Sequence, residues 1–387
     1  MLSGSVAPAD VPLSLPSIGR DEEEAVRRVL QSGWLAHGPE VKAFEQAFAN
    51  YIGVSYAVAL NSATSALHLA LVAHNNPGEV ILPSFTFVAS ANTVVTAGYT
   101  PVFADIDPVS LCINPAAIEA TISEKTVAIM PVHFGGRSCD MSPIIGLAAK
   151  HRLMVLEDSA EAIGAEYEGK MTGSFGTGCF SFFPTKNLTC GEGGMLTTND
   201  AELAEKVRTL RGHGIASTTH DRHGATNPWR REAVMPGYNF RMPDVLAAIG
   251  RVQLDKLPTM NAARIRHAAW LDDRLGKLEG VKIPASPANG NHVYQMYTMV
   301  LDAALYDRDN VVDHMRRHGV GASVHFDPPV HEQQYYRENF PHSDLPVTES
   351  VARSILTLPM FPDMTEEMLG KTAEAFSLAL AAGRQSP

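Results

Sequence analysis

The chain has 387 residues, of which 45% are hydrophobic and 19% are charged, and these values indicate a globular protein of about two to three domains. The 31 Lys and Arg residues against 42 Asp and Glu residues give a formal net charge of -11 at pH 7. This balance argues against binding to nucleic acid or to an anionic membrane surface.

The N-terminal residues 1–20 are rich in Pro, Ser and Gly, which predicts an extended arm. The segment Asp21–Gln31 follows and carries acidic residues in its first turn, where the helix dipole favours negative charge. We therefore expect the first helix there and the first folded domain to begin at residue 21.

Short apolar runs alternate with helical stretches from Gly53 onward, which is typical of an α/β fold with a mainly parallel sheet. The segment Thr64–Val72 is predicted to be a helix. The predicted strands are Ala57–Leu60, Val80–Leu82, Pro101–Phe103, Val127–Pro131 and Met154–Glu157.

The character of the sequence changes near Asp244, where a long helical stretch runs from Val245 to Leu257 and onward to Leu278. The region after it has strand and helix signals of its own. We place a domain boundary near residue 250. This gives a large domain over residues 21–250 and a smaller C-terminal α/β domain over residues 251–387.

The spacing of the cysteines and the N-terminal sequence indicate the cellular compartment of the protein. Cys112, Cys139, Cys179 and Cys190 have irregular spacings and no Cys-x-x-Cys pair, so neither a metal centre nor a disulfide framework is indicated. The first ten residues lack a basic region followed by an apolar core, and no stretch approaches the ~20 apolar residues needed to span a bilayer. We expect a cytoplasmic protein.

The segment Phe180–Gly194 places Lys186 between an aromatic run and a glycine-rich turn. A lysine amine that is desolvated, or that lies beside another positive charge, can form an imine with an aldehyde cofactor. Ser181 lies five residues earlier and can turn its hydroxyl to a phosphate. Taken alone, Lys186 is more often a solvated loop lysine.

An apolar strand, Met154–Leu156, brings Asp158 to its carboxyl end, which is where ligands bind in open α/β sheets. A carboxylate there can keep the pyridine nitrogen of a cofactor protonated, so that the ring accepts electrons during amino transfer. The alternative interpretation is an aspartate that caps the N-terminus of a following helix.

Small hydroxylic residues open a helix directly after a strand in the segment Asn61–Leu71. Ser62, Ala63 and Thr64 can cradle a cofactor phosphate there through free backbone N–H groups and the helix dipole. An ordinary Ser or Thr helix cap explains the same residues equally well.

Phe87, in the segment Pro83–Ser90, follows a short strand and can stack on a pyridine ring, although a single Phe is more often a core residue. The joint occurrence of this aromatic residue, a phosphate site, an acidic strand end and a lysine favours an enzyme that uses pyridoxal 5'-phosphate (PLP).

These segments resemble the DegT/StrS-type sugar aminotransferases, a fold-type I branch of the PLP enzymes that acts on nucleotide-linked keto-sugars. The resemblance covers nearly the whole chain. Besides the segments above, it rests on Gly33–Glu40, Glu45, Arg211–Gly214, Gly237–Asp244 and Leu356–Pro362.

The resemblance implies a role for each matched residue. Lys186 looks like the lysine that binds PLP as an imine, Asp158 like the partner of the pyridine nitrogen, and Phe87 like the stacking ring. Glu161 matches the position near the phenolic oxygen of the cofactor. Phosphate contacts are implied for Ala63, Thr64, Ser181 and, from the neighbouring subunit, Asn239. The resemblance therefore implies a homodimer with shared active sites.

Two positions depart from the family pattern. Phe183 stands where many relatives have His, and Ala36 or His37 stands where a Thr is common. Neither position is essential to imine chemistry. Relatives with His in place of the lysine are dehydratases, so the presence of Lys186 favours amino transfer.

The resemblance also bears on the substrates. It implies L-glutamate as amino donor and a nucleotide-linked sugar as acceptor. The segment Val324–Tyr336 is similar to that of relatives acting at C4, which favours a 4-keto-6-deoxy sugar. A 3-keto-sugar or keto-inositol aminotransferase, a dehydratase, and a non-catalytic regulatory or binding protein on the same fold are the alternatives.

Overall fold

The computed structural model describes residues 9–216, 229, 231–340 and 344–384. The α-helices within these ranges are α1 (Arg20–Ser32), α2 (Pro39–Ile52), α3 (Ala63–His74), α4 (Val88–Thr96), α5 (Pro115–Thr121), α6 (Met141–His151), α7 (Ala201–Arg211), α8 (Asp244–Leu275), α9 (Arg308–Arg317), α10 (Gln334–Asn339), α11 (Pro346–Ser354) and α12 (Glu366–Ala382). Short 3-10 helices cover Phe134–Gly136 and Val330–Glu332.

The strands in the same ranges are β1 (Tyr56–Leu60), β2 (Glu79–Pro83), β3 (Thr100–Ala104), β4 (Thr126–Ile129), β5 (Met154–Asp158), β6 (Glu166–Tyr167), β7 (Lys170–Met171), β8 (Thr177–Ser181), β9 (Gly194–Thr198), β10 (Val281–Lys282), β11 (Tyr297–Leu301) and β12 (Ile355–Leu358).

The central sheet has seven strands in the order β1-β9-β8-β5-β4-β2-β3. Strands β8, β5, β4, β2 and β3 pair in parallel, and β9 is antiparallel to both β8 and β1. The predicted α/β fold with a mainly parallel sheet is therefore confirmed. Strands β10, β11 and β12 form a separate antiparallel sheet in the C-terminal region.

Each predicted strand falls on an observed one, with differences at the ends. Strand β4 stops at Ile129, two residues before the predicted end at Pro131, which has no N–H to donate to a neighbouring strand. Helix α8 spans 32 residues and continues through residue 250, where the domain boundary was placed. The division into domains stays a prediction.

Apolar side chains fill several buried clusters. One lies between the central sheet and helix α3, and another is formed by α8, α9, α12 and the small sheet. Val11 belongs to the second cluster, and its N–H donates to the Gly319 carbonyl at 3.0 Å. The described part of the N-terminal arm is thus packed against the C-terminal region.

None of the described helices combines the length and apolar character required to cross a bilayer. All four cysteines are free and buried.

Candidate active site

The N-terminus of α3 and the carboxyl ends of β5 and β8 face one cavity of about 600 Å³. Seven of the eight predicted site residues line it, namely Ala63, Thr64, Phe87, Asp158, Glu161, Ser181 and Lys186. The eighth, Asn239, lies outside the described lining and is exposed. The fold therefore brings together residues that are up to about 120 positions apart in sequence, as strand ends meet at one edge of a parallel sheet.

The Lys186 side chain is 15% exposed, and its Nζ lies 3.2 Å from Glu161 Oε1. The other carboxylate oxygen of Glu161 accepts the N–H of Gly135 at 2.9 Å. Lys186 is therefore a mostly buried, ion-paired lysine that lines a cavity, rather than a solvated loop lysine.

The Asp158 carboxyl group is buried and has two hydrogen-bond donors. Its Oδ2 accepts the hydroxyl of Ser90 at 2.7 Å, and its Oδ1 accepts the N–H of Ala160 at 3.2 Å. Burial raises the pKa of Asp158, and the hydrogen bonds from Ser90 and Ala160 oppose this rise. Turns rather than a helix follow Asp158, so Asp158 does not cap the N-terminus of a helix.

The N-terminus of α3 combines a helix cap with first-turn N–H groups that can bind an anion. Ser62 is the N-cap, and its hydroxyl accepts the N–H of Ser65 at 3.1 Å. Ala63 and Thr64 occupy the first turn, where N–H groups have no partner within the helix. A Cβ at Gly194 would lie 2.5 Å from the Ala63 nitrogen, so only glycine lets β9 approach this terminus.

Phe87 is 61% exposed and lines the cavity, so it is not a core residue. Its ring centroid lies 6.4 Å from that of Phe326, which in turn packs against Phe85 and Phe134. An aromatic face that is accessible from the cavity and supported from behind can stack on a planar ligand.

The cavity also includes Gln295 and His325, neither of which was predicted individually as a site residue. Gln295 donates its side-chain amide to the Thr185 carbonyl at 3.0 Å, although the two are 110 residues apart. The His325 ring nitrogen Nδ1 lies 2.8 Å from Thr357 Oγ1, and burial lowers the pKa of His325. No local pattern around Gln295 indicates its contact with Thr185, next to Lys186.

The model of the DegT/DnrJ/EryC1/StrS aminotransferase family matches residues 16–377. The spore coat polysaccharide biosynthesis protein SpsC of Bacillus subtilis (strain 168) is 41% identical over 373 residues, which cover 94% of this chain and 96% of SpsC.

Two solved structures have a closely similar fold. Helicobacter pylori PseC, an aminotransferase involved in the biosynthesis of pseudoaminic acid, has a TM-score of 0.90 at 29% identity and covers 96% of this chain and 99% of its own. The putative sugar aminotransferase Spr1654 of Streptococcus pneumoniae, in its PLP form, has a TM-score of 0.89 at 27% identity. The match covers 96% of this chain and 99% of Spr1654.

These comparisons agree with the resemblance on which the sequence analysis relied, and the neighbours share the fold-type I architecture. The family match spans nearly the whole chain, and SpsC is similar along almost its entire length. The chain therefore belongs to the DegT/DnrJ/EryC1/StrS aminotransferase family, and it is an aminotransferase.

Proposed function

We propose that this chain uses PLP to transfer an amino group from L-glutamate to a nucleotide-linked 4-keto-6-deoxy sugar. The observation that carries the proposal is the shared cavity of Lys186, Asp158 and the first turn of α3. An amine, a buried carboxyl group and free backbone N–H groups match the aldehyde, the pyridine nitrogen and the phosphate of PLP.

The described residues fit the cofactor group by group. Asp158 would hold the pyridine nitrogen, because this buried residue lines the cavity. The N–H groups of Ala63 and Thr64, with the hydroxyl of Ser181, would hold the phosphate. Phe87 offers its exposed ring for stacking.

When bound, PLP supplies an aldehyde that accepts the amino group and a ring that stabilises negative charge on the adjacent carbon. Lys186 would bind that aldehyde and, once released, carry the proton to and from the substrate carbon. Glu161 holds the Lys186 amine at 3.2 Å, so the amine stays in the cavity when it is free.

The sugar acceptor is supported by the relatives and by the cavity wall. SpsC is named for polysaccharide biosynthesis, and PseC acts in the biosynthesis of pseudoaminic acid. The segment Val324–Tyr336, whose similarity favours the 4-keto position, places Val324, His325 and Phe326 in the cavity lining. This segment is therefore placed where it can contact an acceptor.

We also propose a homodimer in which each chain completes the site of the other. Asn239 is exposed beside the edge strand β1, and its backbone pairs with Gly212. The next residue, Phe240, accepts the N–H of Asn61 through its carbonyl at 3.0 Å. This arrangement holds Asn239 on the surface, where a second chain can approach it.

The proposal is tested with the purified protein, PLP, L-glutamate and a panel of nucleotide-linked 4-keto-sugars, 3-keto-sugars and keto-inositols. We expect an absorbance band from bound PLP, borohydride labelling at Lys186, and an amino-sugar product identified by mass spectrometry. Turnover of Lys186→Ala should fall by at least about 10²- to 10⁴-fold while the protein stays folded.

Lys186→Arg is the matched control, because it keeps a positive charge but cannot form an imine, and it should be equally inactive. Product that has lost water without gaining nitrogen would instead identify a dehydratase. Wild-type turnover in Lys186→Ala would contradict the role of the lysine, and absence of PLP binding in the wild type would contradict the proposal as a whole.

A further inference from the structure

Two buried hydroxyl groups form a row that ends on the Asp158 carboxyl group. The Oγ of Ser90, on helix α4, lies 2.7 Å from Asp158 Oδ2. The same Oγ lies 2.8 Å from Thr86 Oγ1. Ser90 and Thr86 are 1% and 2% exposed, so water does not compete for these contacts.

The hydrogen-bond directions available in this row are those that an ionised Asp158 needs. An ionised carboxylate only accepts hydrogen bonds, and a serine hydroxyl has one proton to donate. With Asp158 ionised, the Ser90 proton points to Oδ2, and Ser90 Oγ is free to accept the Thr86 proton. The row then stabilises the ionised form of Asp158.

The charged and titratable groups around Asp158 are Lys186, Glu161 and the buried thiol of Cys179. Lys186 favours the carboxylate and Glu161 opposes it, and the two are themselves paired at 3.2 Å. The Ser90 hydrogen bond is the largest influence that lowers the pKa of Asp158 against the effect of burial.

We propose that Ser90, supported by Thr86, is a positioning residue that keeps Asp158 ionised and directed toward the PLP pyridine nitrogen. This inference rests on the proposed function, since it concerns the group that Asp158 would bind. If Ser90 only fills space, its loss should lower stability equally at any pH. If it positions Asp158, its loss should weaken PLP binding most at acidic pH, where Asp158 can take up a proton.

The test is PLP binding by apo-protein variants, followed by absorbance titration at mildly acidic and mildly alkaline pH. In Ser90→Ala, Asp158 loses a hydrogen bond that favours its charged form. We expect about ten- to hundredfold weaker PLP binding at acidic pH, and a smaller difference at alkaline pH where Asp158 is ionised in both proteins. Ser90→Thr keeps the hydroxyl group and should bind PLP with an affinity close to that of the wild type.

Thr93→Ala is the matched control. Thr93 is also 1% exposed on helix α4, but its hydroxyl donates to the Ser90 carbonyl rather than to Asp158. Its PLP affinity should equal that of the wild type at both pH values. Thr86→Val, which removes the second hydroxyl, should show a weaker form of the Ser90→Ala effect.

The outcomes separate this inference from the proposed function. If the wild type does not bind PLP, the proposed function fails. If the wild type binds PLP while Ser90→Ala behaves like Thr93→Ala, or loses affinity equally at both pH values, only the positioning role of Ser90 is overturned. Thermal unfolding of each apo-variant shows whether a loss of affinity reflects loss of fold.

Discussion

Strand β5 ends in two neighbouring carboxyl groups, Glu157 and Asp158, which point to opposite faces of the sheet. Glu157 is fully buried and accepts the N–H groups of Gly173, Phe175 and Gly176 at 2.7, 2.8 and 2.9 Å. A fourth donor, His133 Nε2, lies 3.1 Å away. Four donors occupy the acceptor capacity of this carboxylate.

The histidine donor is itself fixed by its surroundings. His133 Nδ1 accepts the N–H of Cys139 at 3.0 Å, which places the ring proton on Nε2, facing Glu157. Glu157 thus ties the turn that carries Gly173 and Phe175 to the end of strand β5, and its contacts serve the fold.

Asp158 differs from its neighbour in the number of its donors. It accepts hydrogen bonds from Ser90 and Ala160 within the chain, and it lines the cavity. Its remaining acceptor capacity is available to an N–H group of a ligand. In this pair, Glu157 has its acceptor capacity filled within the chain, whereas Asp158 keeps free acceptor capacity and lines the cavity.

The largest effect is expected at Glu157. In Glu157→Gln, an amide NH₂ replaces one oxygen, so two of the four buried donors lose their acceptor. Each loss costs about 1–3 kcal/mol, or about 2–6 kcal/mol in total. Urea unfolding of the apo-protein should show this loss. A variant as stable as the wild type would contradict the structural role of Glu157.

Asp158→Asn should show the reverse behaviour, with unfolding free energy kept and activity lost. Asn keeps an oxygen for Ala160, and Ser90 can reverse its hydroxyl to accept from the amide. The lost charge-assisted contact to the pyridine nitrogen costs about 1.5–3 kcal/mol, which is roughly a ten- to hundredfold loss of turnover. Steady-state kinetics and urea unfolding measure the two effects, and near-wild-type turnover would remove Asp158 from the mechanism.

Glu157 and Asp158 also differ in whether a second chain is needed. The hydrogen bonds of Glu157 all come from its own chain, whereas the proposed PLP site is completed by a partner chain. Asn239→Ala should weaken PLP retention by about tenfold through the loss of one hydrogen bond to the phosphate. The imine chemistry should stay intact, so turnover at saturating PLP should remain near that of the wild type.

Mixing Lys186→Ala chains with Asn239→Ala chains under subunit exchange tests whether the site is shared. In a heterodimer with shared sites, one site carries both defects and the other has Lys186 and Asn239 intact. Turnover at limiting PLP should therefore rise above that of either parent. If mixing restores nothing, the intersubunit role of Asn239 is wrong.

Much of the fold was predictable because strand and helix periodicity is local. The segments around Lys186, Asp158 and Phe87 were also identified from sequence, since each follows a strand or turn whose position the pattern indicates. Placing their side chains in one cavity required only that strand ends converge at one sheet edge.

Other contacts could not be read from the sequence. The row from Thr86 through Ser90 to Asp158 joins α4 to β5 across 68 residues, and no spacing rule indicates it. No spacing rule indicates the role of Glu157 either, since three of its donors come from a turn that follows it by 16 to 19 residues and the fourth, His133, precedes it by 24. Hydrogen bonds between distant segments depend on packing rather than on local pattern.

The smallest predicted effect is a difference in the pH dependence of stability. Burial raises the pKa of Asp158 above its ordinary value of 3.8, so the folded apo-protein binds this proton more readily than the unfolded chain. Stability contributed by this group is therefore present at acidic pH and is lost as the pH rises through the raised pKa. Asp158→Asn cannot titrate, so its unfolding free energy should fall less over that range than that of the wild type. Urea unfolding at a series of pH values measures both slopes. Equal slopes would contradict a raised pKa for Asp158 in the folded apo-protein.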